Sequence, residues 1–149
     1  MKLEHTVVIN RPVEEVFAFA SDYTNDDRYI SGRLETKMTT PSPIGPGTRF
    51  DTTNKFLGRR IESSMEVTEY EVNRKIRSRS VKSPVQFTDS RVFQPEGSGT
   101  RLTTTLETDG TGGLFKLADP IVAKLSKRQM ETDLAMLKDL LEAQVPVLS

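Results

Sequence analysis

Apolar and polar residues alternate through most of the first 108 positions, which is the pattern of half-buried strands. In a strand predicted over 60–70, Ile61, Met65 and Val67 fall on one face, and charged residues such as Glu62 take the other. The same reading predicts further strands over 3–9, 34–40, 48–56, 76–81, 85–93 and 100–108. Short strands separated by turns pair in antiparallel fashion, with one face buried and one face in water. The pattern therefore predicts an antiparallel sheet of about seven strands.

Two short helices are predicted between the first and second strands. Pro12 suits the first position of a helix over 12–21, because its missing N–H is not needed there. A second short helix is predicted over 22–30, with Thr24 or Asn25 as its N-cap.

The last third of the chain has helical periodicity. Apolar residues recur at Leu114, Ala118, Ile121, Leu125, Leu134, Leu137 and Leu141. Pro120 is expected to kink or break this long helix in its first turns. A long amphipathic helix and a sheet must each bury an apolar face, and both do so if the sheet curls around the helix. The predicted fold is therefore of the α+β class, with one domain over 1–149.

A cavity is expected between the curved sheet and the helix. Small residues such as Thr52, Ser63 and Thr104 occupy the strands and cannot fill the concave face. Apolar cavities of this kind usually hold ligands. The loops near Gly45 and Gly112 are the expected gates.

Composition narrows the classes of partner and of chemistry. The 149 residues include 21 basic and 21 acidic residues, so zero formal charge gives no reason to expect nucleic acid. With no cysteine and a single histidine, His5, the chain offers no Cys/His zinc site, and no metal or cofactor is expected. His5 lies near a strand start and is expected at the surface rather than in acid–base catalysis.

No apolar run suits a signal peptide or a spanning helix, so a cytoplasmic protein without stable membrane insertion is expected. The expected oligomeric state is a monomer or a homodimer.

Three stretches of the sequence resemble a known family. They are residues 8–17 (VINRPVEEVF), residues 45–50 (GPGTRF) with 58–60 and 67–70, and residues 127–142 (KRQMETDLAMLKDLLE). Together with the order of elements, they are similar to the START-related polyketide cyclase/dehydrase (SRPBCC) superfamily, which has the helix-grip fold. The resemblance implies a cavity between sheet and long helix. It implies no catalytic residue, because the superfamily includes lipid carriers, hormone receptors, cyclases and quinone-binding proteins. Where the family often has tryptophan after the first helix, this chain has Tyr29.

The candidate ligand-binding wall is mostly apolar. It consists of Phe50, Met65, Phe87, Leu102, Leu114, Leu117, Ile121 and Leu125, with Tyr29 at the mouth. For most of these residues a place in the ordinary core is the simpler interpretation.

Asp89 and Arg91 share a strand face with Phe87 and Phe93, and they are the charged members of the candidate site. If this face looks inward, the two form a charge pair inside the cavity, where buried charges are often functional. If it looks outward, they form a surface pair of little energetic value. A one-residue change of register inverts the answer, and the charges themselves favour the outward orientation.

Three functions follow as hypotheses. The first is a protein that binds or carries a small hydrophobic molecule, lipid-like or aromatic. The second is an enzyme of the polyketide cyclase or dehydratase type, which would need Tyr29, Asp89 or Arg91 inside the cavity. The third is a protein-interaction module that uses Lys124, Lys127 and Arg128 of the last helix.

Overall fold

A single antiparallel sheet of seven strands forms the frame of the protein. The computed structural model describes residues 2–108 and 120–143. The strands are β1 (Lys2–Ile9), β2 (Arg33–Met38), β3 (Arg49–Phe56), β4 (Arg59–Glu71), β5 (Lys75–Lys82), β6 (Phe87–Glu96) and β7 (Gly99–Thr108). Their order across the sheet is β1-β7-β6-β5-β4-β3-β2, so β1 and β2 are the edges. The predicted antiparallel sheet is confirmed.

Three helical segments accompany the sheet. Helix α1 (Val13–Ala20) and a 3₁₀ helix (Tyr23–Arg28) connect the two edge strands, and α2 (Pro120–Ala143) follows β7. The second short helix was expected to be capped by Thr24 or Asn25, which is wrong. Asp22 is the N-cap, because its carboxylate accepts the Thr24 N–H at 3.0 Å. The predicted kink at Pro120 concerns the boundary with residues outside the described ranges.

The core lies between the concave face of the sheet and the helices. Its largest fully buried apolar side chains are Tyr23, Phe50, Phe93, Ile9, Ile76, Leu102, Leu137, Val16 and Val67. Phe17 of α1 meets Phe93 of β6 edge to face, with ring centroids 5.1 Å apart. Helix α1 is thereby fixed on the sheet beside the start of the 3₁₀ helix.

Only part of the predicted apolar stripe of α2 is buried. Leu134, Leu137 and Leu141 are in the core, whereas Ile121 and Leu125 are 72% and 41% exposed. Leu125 precedes Leu134 by about two and a half turns at 3.6 residues per turn, so the two lie on opposite sides of the helix. The apolar positions are regularly spaced within each half of the stripe. The sequence pattern therefore did not show that the two halves lie on different sides of the helix.

Lysines of α2 lie along the free edge of β1. Lys138 Nζ donates to the Val8 carbonyl at 2.8 Å, and Lys127 Nζ donates to the Glu4 carbonyl. These carbonyls belong to an edge strand, and among the described residues no strand pairs with it on that side. The helix is therefore joined to the sheet by polar contacts as well as by its leucines.

Neither a metal site nor a membrane-spanning helix was expected from the sequence. Within 2–108 and 120–143, no group of three or more His, Cys, Asp or Glu side chains is placed to hold a metal ion. No helix in the same ranges is long and apolar enough to cross a membrane.

Candidate functional site

A cavity of about 290 Å³ lies between the concave face of the sheet and α2. Strands β3 to β7 supply most of its wall. The rest comes from one face of α2, from the 3₁₀ helix with the loop after it, and from single residues elsewhere. The apolar side chains that line it include Leu3, Ile30, Phe50, Phe56, Ile61, Met65, Val85, Phe87, Leu106, Met130 and Leu134. Ser126, Gln129 and Asp133 share the helix face of Met130 and Leu134, because they follow at intervals of three and four residues.

The structure brings together most of the residues predicted for the site. Tyr29, Phe50, Met65, Phe87, Asp89 and Arg91 all line the cavity. That these residues bind a ligand stays a prediction.

Three apolar residues of the predicted wall lie elsewhere. Leu102 is buried in the core and is not among the described lining residues. Ile121 and Leu125 lie on the exposed side of α2, for the geometric reason given above. Leu117 falls outside the described residues, as do Leu114 and the predicted gate at Gly112. The other predicted gate, Gly45, does not line the cavity.

Arg91 points inward, which corrects the outward orientation favoured from the sequence. It lies on β6 between Ile76 of β5 and Thr104 of β7, and it is 4% exposed. Its guanidinium donates to both carboxylate oxygens of Asp26, at 2.9 and 2.8 Å, and to the Ala20 carbonyl at 2.8 Å. Burial of the arginine is tolerated because the 3₁₀ helix supplies a buried carboxylate in two-pronged geometry.

Asp26 is a cavity-lining residue that sequence reasoning missed. It is fully buried, and it also accepts hydrogen bonds from Tyr29 Oη at 3.2 Å and Arg33 Nη1 at 3.3 Å. Arg33 in turn donates to Asn54 at 2.8 Å. Nothing in the local sequence marks Asp26, because its main partner lies 65 positions away.

The aromatic ring of Tyr23 packs against the guanidinium group of this ion pair. Its ring stacks on Phe50 with centroids 4.1 Å apart, and the guanidinium carbon of Arg91 lies 4.9 Å from the ring centroid. Burial raises the pKa of Tyr23, so its hydroxyl stays protonated throughout the physiological range. The side chain therefore presents a neutral hydroxyl to the cavity.

Three buried hydroxyls that line the cavity have no hydrogen-bond partner among the described residues. They are Tyr23 Oη, Thr52 Oγ1 and Ser78 Oγ. Ser78 is close enough to lower the pKa of Tyr23 slightly, but the two hydroxyls do not reach hydrogen-bond geometry. Buried polar groups in proteins are nearly always satisfied, so this concentration in one cavity is unusual.

Asp89 is the cavity carboxyl least satisfied by the protein. It lies 3.2 Å from Arg91 Nη2, at the side of the Arg91–Asp26 pair. Burial raises the pKa of Asp89, and the positive charge of Arg91 only partly opposes this effect. Asp89 is thus a carboxyl that takes up a proton more readily than one in water.

The raised pKa of Asp89 makes a testable prediction about stability. A carboxyl that binds its proton more tightly in the folded state contributes stability below its unfolded pKa of about 3.9, and this contribution is lost as pH rises through the folded pKa. The unfolding free energy of the protein, measured against that of Asp89→Asn, should therefore fall between acidic and neutral pH. Urea unfolding of both proteins from pH 4 to pH 8 checks this. A difference independent of pH would mean that Asp89 titrates as it does in water.

The loop over 30–33 joins α2 to β3 at the cavity wall. Asp133 of α2 accepts the Ser31 N–H at 3.0 Å and the Ser31 hydroxyl, and Gln129 Nε2 donates to the Ser31 carbonyl at 2.5 Å. Gly32 accepts the Lys55 N–H at 2.7 Å with a φ of 82°, and a Cβ there would lie 2.5 Å from the Lys55 carbonyl oxygen. The close approach and the positive φ both require glycine at this position.

Comparison with known proteins agrees with this architecture. A Thermus thermophilus protein has a TM-score of 0.81 at 24% identity, over 96% of this chain and 98% of its own. A START superfamily protein from Mycobacterium smegmatis has a TM-score of 0.78 at 15% identity, over 95% and 97%. The Zhui aromatase/cyclase from Streptomyces has a TM-score of 0.76 at 15% identity, over 99% and 96%. At these identities the similarities establish a shared fold, which is the helix-grip fold. No curated protein matches the chain.

A family model also matches almost the whole chain. The family is described as polyketide cyclase / dehydrase and lipid transport, and the match covers residues 1–142. The START-like resemblance read from the sequence is thereby confirmed. The chain belongs to the polyketide cyclase/dehydrase and lipid transport family.

Proposed function

We propose that the protein binds a small, largely apolar organic molecule in the cavity between the sheet and α2. The observation that supports this most directly is the cavity itself, because the surface that its wall exposes is mostly apolar. Transfer of the ligand out of water supplies the free energy, at about 25 cal/mol per Å² of apolar surface. A ligand that buries about 200 Å² would gain about 5 kcal/mol, less the cost of association.

The size of the cavity limits the ligand. Its volume of about 290 Å³ lies at the low end for ligand sites and equals the liquid volume of about ten water molecules. A molecule with two fused rings or a short acyl chain suits this space better than a long-chain lipid. Affinity is therefore expected in about the millimolar range.

Filling the cavity should abolish binding, and Thr52→Phe is the variant for this test. Thr52 is buried on the cavity wall and its hydroxyl has no partner, so the substitution breaks no hydrogen bond while adding a ring to the space. We expect the affinity for 2-naphthol to fall at least tenfold, as measured by fluorescence anisotropy. The chain has no tryptophan to interfere with the naphthalene chromophore.

The adjacent residue provides the matched control. Thr53 points to the opposite face of β3 and does not line the cavity, so Thr53→Phe should leave 2-naphthol binding unchanged. Equal affinity of the Thr52→Phe protein and the unaltered protein would place binding outside the cavity and contradict the proposal.

A second candidate function is acid–base chemistry on a polyketide-like ligand, and the raised pKa of Asp89 favours it. A carboxyl with a raised pKa can exchange a proton with a bound ligand: its acid form donates to a carbonyl oxygen, and its carboxylate form removes a proton from an adjacent carbon. Solvent deuterium exchange into the α-carbons of 2-tetralone, followed by NMR, tests this. Acceleration by the protein that is lost in Asp89→Asn would support an enzyme, and exchange at the rate of buffer alone would favour a carrier.

The interaction-module hypothesis receives less support. Lys127 is one of its three basic residues, and it is already bonded to the Glu4 carbonyl. The remaining two, Lys124 and Arg128, are exposed but do not by themselves form a recognition surface.

A further inference from the structure

One part of the cavity wall combines buried hydroxyls with a carboxyl. Tyr23 and Ser78 are 1% and 0% exposed, line the cavity and have unsatisfied hydroxyls. Ser78 of β5 is the direct cross-strand neighbour of Asp89 of β6. Asp89 also lies close enough to Tyr23 to influence its pKa. Two hydroxyls and a carboxyl therefore meet at one place in the cavity wall.

Charges around this part of the wall are already balanced. Arg91 and Arg33 face Asp26 and Asp89, so two positive groups offset two negative ones. Both terminal nitrogens of Arg91 are engaged by protein oxygens, and its strongest partner is Asp26. A carboxylate brought to this place would add an uncompensated negative charge next to Asp89, in surroundings where charge is costly to bury.

A neutral oxygen atom on a ligand avoids this cost of burying charge. A hydroxyl or carbonyl group on a ligand can accept from Tyr23 or Ser78, and a hydroxyl can also donate to Asp89. It would satisfy donors that the protein leaves without partners and add no charge. Leaving such groups unpaired is costly, so the site discriminates against ligands that lack the oxygen.

We infer that Tyr23, Ser78 and Asp89 form a recognition subsite for an uncharged oxygen, so that the cavity selects a neutral hydroxyl- or carbonyl-bearing molecule over a carboxylate of the same size. This inference rests on the proposed function, because it assumes that the cavity takes up a ligand. It adds which end of the ligand lies against these three residues and which class of small molecule is rejected.

Three probes of one shape test the inference: naphthalene, 2-naphthol and 2-naphthoate, each titrated by fluorescence at neutral pH. We expect 2-naphthol to bind about five- to tenfold more tightly than naphthalene, which is the effect of one net hydrogen bond. We expect 2-naphthoate to bind at least tenfold more weakly than 2-naphthol. In Asp89→Asn the penalty on 2-naphthoate should shrink.

Variants at the two hydroxyls locate the effect. In Tyr23→Phe and in Ser78→Ala, the preference for 2-naphthol over naphthalene should fall by at least threefold. Tyr23→Phe removes a hydroxyl without a protein partner and keeps the stack on Phe50, so its melting temperature should not fall. Tyr70→Phe is the control, because Tyr70 does not line the cavity.

The outcomes separate this inference from the proposed function. If naphthalene binds but 2-naphthol has no advantage, or if 2-naphthoate binds as tightly as 2-naphthol, the subsite is overturned and the cavity remains a binding site. If Tyr23→Phe and Ser78→Ala both keep the full preference, these hydroxyls are not the subsite. If none of the three probes binds, both the subsite and the proposed function fail.

Discussion

Replacing Arg91 with methionine should lower the free energy of unfolding by about 3–5 kcal/mol, because it leaves Asp26 as a buried charge without its principal partner. Asp26 is fully buried, and its remaining bonds to Tyr29 and Arg33 are longer than those to Arg91. Urea unfolding followed by circular dichroism measures the loss. Stability is lost because the buried Asp26 carboxylate has no main partner, and not because its bond to Arg91 is intrinsically strong.

Two further variants separate these causes. Arg79→Met removes an exposed arginine that pairs with Glu66 at 3.1 Å on the outer face of the sheet, and it should cost no more than about 1 kcal/mol. The double variant Asp26→Leu with Arg91→Met removes both buried charges and should recover part of the stability lost in Arg91→Met alone. If Arg91→Met were as mild as Arg79→Met, the buried pair would not be an important contributor to stability.

Replacing Leu137 with alanine should cost about 2–5 kcal/mol, the range for leucine removed from a packed core. Leu137 is fully buried where α2 contacts the core, and alanine favours the helix, so the loss reports packing alone. The neighbouring Met136 is 48% exposed, and Met136→Ala should stay within about 0.5 kcal/mol of the unaltered protein. Denaturant unfolding of both variants makes the comparison, and equal losses would mean that α2 does not pack as described.

The sheet could be predicted from the sequence because its signal is local. Alternation such as that of Ile61, Met65 and Val67 depends only on residues two positions apart, and β4 indeed places them on one face. The long helix was predicted from equally local spacing. Within the described part of the helix, that prediction was wrong at Ile121 and Leu125, where the stripe had to be followed over more than two turns.

The polar part of the site could be predicted only incompletely. Asp89 and Arg91 were recognised as a pair, but their direction depends on strand register, which the sequence left open. Asp26 and Ser78 carry no local signal at all, since each matters only through neighbours from distant segments. The unsatisfied hydroxyl of Tyr23 is likewise a property of three-dimensional packing, and no pattern of residue types announces it.

The lysine contacts of α2 with β1 have a consequence for aggregation. An edge strand presents free carbonyl and N–H groups to which a strand of another molecule can add, and proteins often block such edges with charge. Lys138 and Lys127 occupy carbonyls of Val8 and Glu4 at the places where an incoming strand would have to bond. Helix α2, which forms part of the cavity wall, thus also blocks the β1 edge against the addition of a strand from another molecule. Loosening its attachment to β1 would expose the protein to amyloid-like association through that edge.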